Sequence, residues 1–343
     1  MAVTMQQLGE RAGVSAATVS RALRNDPRVA PQTYEKVLRA SQELGYITNG
    51  VARSLRVRST MAVGIILDDI SNPVQAQFTQ GAAERLMPEG YFPIIGLRMD
   101  PGHDEVAMLE RMLERGIDGL LWSPRADDDP RLPALLARCP VPVVFLDRRP
   151  KSVDAQCVVF DHFQSVSTAV QKVISAGHER IAFLAGPLCA LPGRERKRAY
   201  EAEMRRSGLK VDKRYLVDSE QTVGTGYAIV RDLLQSASPP TALMTCGTRL
   251  GVGALRALRD AKTKVPRELS VVLVAPPELA DVWPGRLDVV EMPVGELGRR
   301  GAELLLERMR GIRSSSISPV IVPCSVVAGN SVAPPPARAS EAR

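Results

Sequence analysis

No run of apolar residues in this 343-residue chain approaches the about 20 needed to cross a bilayer. The first residues carry no apolar core of a signal peptide, so export is not expected. The five cysteines (Cys139, Cys157, Cys189, Cys246, Cys324) are odd in number and widely spread, and no C-x-x-C occurs. That argues against a disulfide framework and a zinc site, and for free thiols in a reducing cytoplasm. The three histidines (His103, His162, His178) are scattered, without metal spacing such as H-x-x-x-H. No G-x-S-x-G, Walker A or complete G-x-G-x-x-G appears; GTGYA at 224–228 and GVGAL at 251–255 are fragments. The acidic runs Asp68-Asp69 and Asp127-Asp128-Asp129 read as loops and helix caps, and His178 in GHERI as a cap or turn residue. An enzyme is therefore not expected, and neither a metal nor a cofactor is implied.

Against this background, hydrophobic content of 45% and charged content of 24% are ordinary for a globular protein, and the length suits two or three domains. The charge is uneven. Residues 1–60 hold nine bases and four acids, a net of +5 out of +7 for the whole chain.

Within that basic segment, residues 3–23 read VTMQQLGERAGVSAATVSRAL. Met5, Leu8, Gly9 and Ala12 share one face of a first short helix. Gly13 and Val14 make a break, with Gly13 free to turn left-handed. Ser15 can cap a second helix, with Val19, Ala22 and Leu23 on its buried side. Ala16, Ala17, Thr18, Ser20 and Arg21 remain for the outer side and its edges. The spacing alone also fits any small helical hairpin. The basic excess on the same segment points to a DNA-reading helix-turn-helix, because phosphate neutralisation needs it there. A third helix is expected at 32–44, with Tyr34, Val37, Leu38, Ser41 and Leu44 closing the small core and Gly45 ending it.

The strings AGVSAATVSRAL, RVAPQTYEKVLRASQELGYITN and VARSL, in this order, resemble the headpiece of the LacI/GalR family of bacterial transcriptional regulators. The resemblance continues through VGIILDDISNP, RGIDGLL, VVFLDR, GHERIAFLAGP, LSVV and ELGRRGAELLLERM, to about Val332. It implies a helix-turn-helix headpiece at 1–48 and a hinge at 49–60. An effector-binding and dimerisation core like a periplasmic binding protein would follow at 61–332. The tail 333–343, Pro- and Ala-rich and without heptads, is expected to be disordered, leaving a homodimer.

The resemblance also assigns residues on the DNA side. Ala16, Ala17 and Arg21 fall at base-reading positions, where alanine offers a methyl to thymine and arginine a bidentate donor pair to guanine. Ser15, Thr18, Ser20, Arg24 and Asn25 are placed for phosphates. Thr4, Thr33 and Asn49 complete the headpiece contacts. In the hinge, Leu55 matches the leucine that wedges into the minor groove, with Ala52 ahead of it and Arg53 and Arg56 within reach of phosphates. The family's usual proline is Thr48 here, and Gly50 weakens a helix by about 1 kcal/mol relative to alanine. Both changes should loosen the free hinge.

From Met61 onward, short β-rich runs alternate with helical stretches. Strands are expected at MAVGIIL, YFPIIGL, DGLLW, PVVFL, QCVVF, RIAFLA, TALMT and LSVVLV. Helices are expected at 73–87, 103–115, 131–138, 162–176, 194–207, 223–235, 249–261 and 294–310. Such alternation gives parallel sheets covered by helices on both faces, so the fold class is α/β behind a small all-α headpiece. With crossovers near 161, 290 and 323, one subdomain takes 61–161 and 291–323 and the other 162–290 and 324–332. A ligand would sit in the cleft between them, at the carboxyl ends of the strands.

Matching the family's pocket loops leaves Asn72, Asp147, Arg148, Arg194 and Arg196 as effector-binding candidates, joined by Arg98, Gln221 and Arg249. Arg196 matches the arginine that holds the effector. Two signatures are missing. An expected Asn-Asp is Gly247-Thr248, and an expected Gly-aromatic-Asp-Asp is Leu273-Val274-Ala275-Pro276; Gln221 replaces a frequent pocket aromatic. Losing carboxylates while keeping guanidiniums should make the cleft positive and favour an anionic effector, such as a sugar acid or sugar phosphate. The alternatives are a decayed pocket and a solute-binding module of the same core fold. The expectation is a cytoplasmic repressor, located at the nucleoid when bound to a palindromic operator as a dimer.

Overall fold

The computed structural model describes residues 3–23, 26–46, 59–98, 104–151, 153, 155–312 and 318–336. The chain divides into two compact units, Met1–Thr60 and Met61–Arg343.

The first unit packs α1 (Met5–Ala12), α2 (Ala16–Ala22) and α3 (Pro31–Leu44) around Leu8, Val19, Ala22, Val37 and Ala40. Thr4 closes a capping box on α1: its Oγ1 accepts from Gln7 N at 3.3 Å, and its N–H donates to Gln7 Oε1 at 2.9 Å. Gly13 ends α1 at φ +69°, where a side chain would strain the backbone. Ser15 Oγ then accepts from Thr18 N at 3.1 Å and opens α2. Two expectations are corrected. Leu38 is exposed and Ala40 is buried in its place, because the inward stripe of α3 runs Val37, Ala40, Leu44 and Leu38 lies about 100° round from Val37. Ser20, expected on the outer side, is 9% exposed and sits beside Val19 on the packed side of α2.

The second unit holds two six-stranded sheets. In the first, β1 (Ala62–Leu67), β2 (Phe92–Leu97), β3 (Gly119–Trp122), β4 (Val143–Leu146) and β5 (Gln156–Phe160) join β11 (Val320–Val322), all parallel, in the order β11-β5-β4-β3-β1-β2. In the second, β6 (Ile181–Leu184), β7 (Leu216–Val217), β8 (Ala242–Cys246), β9 (Ser270–Ala275) and β10 (Asp288–Glu291) are parallel, and β12 (Ser325–Val327) runs antiparallel to β10, in the order β12-β10-β9-β8-β6-β7. Strands β1, β3, β6, β8 and β9 are buried along their whole length, which is why they read as continuous apolar runs. Pro93 is accommodated because β2 lies at a sheet edge.

The helices of this unit are α4 (Pro73–Leu86), α5 (Glu105–Glu114), α6 (Leu132–Arg138), α7 (His162–Ser175), α8 (Leu191–Arg206), α9 (Val223–Leu234), α10 (Thr248–Asp260) and α11 (Val294–Met309). The chain passes from one sheet to the other after Phe160, after Glu291 and after Val322. Helix α8 begins at Leu191, ahead of the expected 194, because Pro192 fits the first turn, where no N–H is required.

His178 is a core hub and not a surface cap. It is 1% exposed, with Nδ1 2.9 Å from Thr241 Oγ1 and Nε2 2.8 Å from the Ala333 carbonyl. A carbonyl only accepts, so the Nε2 proton is donated to it. Ala333 N also donates to Ser270 Oγ at 3.1 Å, and Pro335 lies over Gly177. The start of the tail is therefore held, against the expectation of disorder from 333.

Candidate functional site

On the headpiece, Ser15, Ala16, Ala17 and Arg21 are exposed along α2, and Thr18 is half-buried. Thr4 is exposed at the start of α1, and Thr33 is half-buried in the first turn of α3. The two alanines leave the α2 backbone open to close approach, and Arg21 projects a planar donor fork. Arg24, Asn25, Asn49, Ala52, Arg53, Leu55 and Arg56 lie outside the described residues.

The second unit contains a cleft of about 680 Å³, lined by loops that follow strands of both sheets. Asp68, Asp69 and Asn72 follow β1, Arg98 follows β2, Ser123 and Arg125 follow β3, and Asp147 and Arg148 follow β4. From the other sheet come Pro187, Cys189, Ala190, Pro192, Gly193 and Arg196 after β6, Glu220 and Gln221 after β7, and Gly247 to Arg249 after β8. Asn72, Arg98, Asp147, Arg148, Arg196, Gln221 and Arg249 are thus brought together. Arg194 is not among the lining residues: its Nη2 donates to the buried Asp127 carboxylate at 2.7 Å. Leu273, Val274, Ala275 and Pro276 also lie away from the cavity.

The charges contradict an unbalanced positive cleft. Arg98 lies 2.7 Å from Asp68 and 3.3 Å from Glu105. Arg249 pairs with Asp69 and donates to Ser71 Oγ at 2.7 Å. Arg125 is 3.6 Å from Glu220. Arg148 donates to the carbonyls of Pro124 at 2.6 Å and Asp147 at 2.8 Å. Arg98, Arg125 and Arg249 therefore each face a carboxylate, although the acids of the two signatures are missing. Asp68, Asp69, Glu105 and Glu220 were not picked out as site residues, although Asp68-Asp69 sits just where the first strand ends.

Arg196 differs. It is 6% exposed, and no carboxylate lies within ion-pair distance of it among the described residues. Its Nε donates to His162 Nδ1 at 3.3 Å, and its Nη2 lies 3.7 Å from Met292 Sδ. A guanidinium cannot accept, so His162 Nδ1 is the unprotonated nitrogen and Nε2–H donates to Asp147 Oδ1 at 2.8 Å. Burial, together with the nearby Arg196 charge, holds His162 below its usual range. Burial alone would raise Asp147, but His162, Arg148 and Arg196 outweigh it and bring the carboxyl down to about 2. Asp147 adopts φ +52°, an uncommon conformation that aspartate tolerates better than most residues. His162, the middle member of this chain, was missed because nothing in its sequence neighbourhood separates it from a core histidine.

Gln221 fills the space beside Gly247. Its Nε2 donates to the Cys246 carbonyl at 2.7 Å, and a Cβ built on Gly247 would fall 1.9 Å from its Oε1. Any side chain at 247 would displace it. Thr248 Oγ1 faces this region without a hydrogen-bond partner among the described residues. No cluster of three His, Cys, Asp or Glu suited to a metal exists among the described residues.

Comparison with known proteins agrees with this architecture. Residues 4–49 match the family model for bacterial regulatory proteins of the lacI family, and residues 170–332 match the periplasmic binding protein-like domain. The chain is 31% identical over 311 residues to catabolite control protein A of Priestia megaterium, spanning 90% of this chain and 93% of that protein. It is 29% identical over 309 residues to the ribose operon repressor of Escherichia coli (strain K12), spanning 89% and 93%. The solved complex of the transcriptional regulator CelR with cellobiose superposes with a TM-score of 0.70 at 28% identity, over 96% of this chain and 99% of that one. With a capped helix-turn-helix, two sheets bridged by three crossings and relatives of this kind along nearly its whole length, the chain belongs to the lacI family of bacterial regulatory proteins.

Proposed function

We propose that the protein is a cytoplasmic repressor that binds a palindromic operator as a homodimer, with its operator affinity set by a small molecule in the cleft. The observation that carries the DNA reading is α2, a capped helix with Ala16, Ala17 and Arg21 exposed along it on a basic headpiece. Selection of binding sites from random duplexes tests it. A two-fold symmetric site is expected, and enrichment of asymmetric sites would refute the dimeric reading.

For the cleft we propose an effector with one negative charge. Arg98, Arg125 and Arg249 are already paired with carboxylates, and Arg148 is hydrogen-bonded to two backbone carbonyls. Arg196 is buried and, among the described residues, makes no direct ion pair, although the Asp147 charge acts on it through space; a guanidinium binds a carboxylate through two parallel N–H bonds. A phosphate ester carries about −1.5 to −2 charges at neutral pH and would be under-compensated here. A sugar acid is favoured over a sugar phosphate, and over a neutral sugar such as the cellobiose in the CelR complex. Calorimetry with neutral sugars, sugar acids and sugar phosphates decides among them, and binding of neutral sugars only would overturn the charge argument. One observation favours a second reading, regulation without a small molecule: most polar groups of the cleft already have protein partners. Silence across the whole panel would support it.

A further inference from the structure

We propose that Arg249, Asp69 and Ser71 form a strap that closes the cleft from within, so that the two sheets are held together before any effector binds. This deepens the cleft reading above and rests on it only for its consequence in regulation.

Arg249 stands in the first turn of α10, beyond the end of β8 in the second sheet; Asp69 and Ser71 lie beyond the end of β1 in the first. The guanidinium Nη2 reaches both Asp69 Oδ2 and Ser71 Oγ, so one arginine side chain spans the mouth. The acceptor is prepared for it. Asp69 Oδ1 takes the Ser71 N–H at 2.8 Å and the Ser71 hydroxyl at 2.7 Å, which fixes the loop and leaves Oδ2 for Arg249. These bonds, with Ser71 contributing more than Arg249, hold the Asp69 carboxyl below its usual range.

Position gives the strap leverage. All three crossings between the sheets leave from β5, β10 and β11, at or beside one edge of each sheet. Strand β1 is the second from the opposite edge of the first sheet, and β8 is separated from β12 by β9 and β10. A bond between their loops lies away from the pivot and opposes opening directly.

A second link between the sheets has a different character. Asp127, after β3, is fully buried; it accepts from Arg149 N at 3.1 Å and from Arg194 of α8 at 2.7 Å, while its own N–H donates to the Cys189 carbonyl at 3.2 Å. Breaking it would strand a buried carboxylate. The strap is 29% exposed at Arg249 and 41% at Asp69, so water can replace either partner. Like the exposed Arg125–Glu220 pair, it can yield when an effector enters, and the energy of a half-exposed pair suits a reversible bias between open and closed populations.

The test needs neither operator nor effector, so it stands even if the cleft binds no sugar acid. Spin labels are attached by bioorthogonal chemistry at exposed positions 110 and 232, one on each side of the cleft, and the labelled chain is diluted into unlabelled chain to suppress distances between protomers. The unliganded wild type should give mainly the short distance. Arg249→Ala and Asp69→Asn should each shift the closed-to-open ratio by about threefold to fivefold toward open, and their combination no further. The swap Arg249→Asp with Asp69→Arg should recover the short distance. An open wild type, single variants that superpose on it, additive effects in the combination, or a swap that stays open would each overturn the strap.

Discussion

Residues exposed along α2 of the headpiece come from less than two turns of a single helix, where a partner such as Thr18 for Ser15 lies within the same turn. In the cleft, Arg98, Asp147, Arg196 and Arg249 arrive from four different strand ends, and each is defined by what another loop brings to it. The difference is one of coupling. A change on the outer side of α2 should alter one contact with DNA and leave its neighbours intact. A change in the cleft should propagate, since Arg196 orders His162, His162 orders Asp147, and Asp147 is further held by its own turn.

The largest expected effect separates the two units. Leu8 is fully buried in the small core of the headpiece, so Leu8→Ala should cost about 2–5 kcal/mol, enough to unfold three short helices. Calorimetry should show the transition of the second unit unchanged while DNA binding disappears; a parallel loss in both would mean that the units are not independent.

Next comes Arg21→Ala, expected to cost about 1–3 kcal/mol on the cognate half-site and to relax preference at one base pair. If Arg21 only touches phosphate, all sequences weaken alike and the salt slope falls by about one unit. Binding-site selections at two salt concentrations distinguish the cases. Leu55→Ala, at the hinge position matching the minor-groove wedge, should reduce DNA bending with folding intact, as read by fluorescence transfer across the site.

Acid should weaken the second unit in two stages. His162 and His178 are both held below their usual 6.5, chiefly by burial, so the unfolded chain takes up protons first and stability begins to fall below about pH 6.5. Asp147, at about 2 when folded against 3.8 otherwise, contributes stability that is complete above about pH 4 and is lost as pH falls through 2. Urea midpoints from pH 7 to pH 3 should decline monotonically, and a rise anywhere in that window contradicts the sign.

The smallest effect tests coupling itself. Arg196→Met removes a donor and a charge from His162, so the histidine should titrate at higher pH, followed through its C2 proton by NMR. An unmoved titration would mean that the chain from Arg196 to Asp147 is a set of separate contacts.

How much of this was legible in advance follows the same division. The first two helices of the headpiece could be read to within a residue, because Ser15 and Gly13 act on backbone atoms only three or four residues away in sequence. The parallel sheets followed from buried apolar runs such as AVGIIL and SVVLVA. The side of α3 that Leu38 faces was misjudged, since Leu38 and Ala40 differ by about 200° of rotation and only packing against α1 and α2 chooses between them.

In the cleft, the candidates Arg98, Arg148, Arg196 and Arg249 were visible from their places after strands, but their electrostatic state was not. Counting acids lost from two signatures predicted a positive site, whereas Asp69 reaches Arg249 across 180 residues and Glu105 and Asp68 neutralise Arg98. The chain's own order specifies helices, caps and strands because those depend on neighbours within a few residues. Which arginines make an ion pair, that His178 pins the tail and that Arg249 spans the cleft were settled by folding, because Coulomb energy and desolvation depend on distance in space, and two sheets bridged by three crossings bring together residues far apart along the chain.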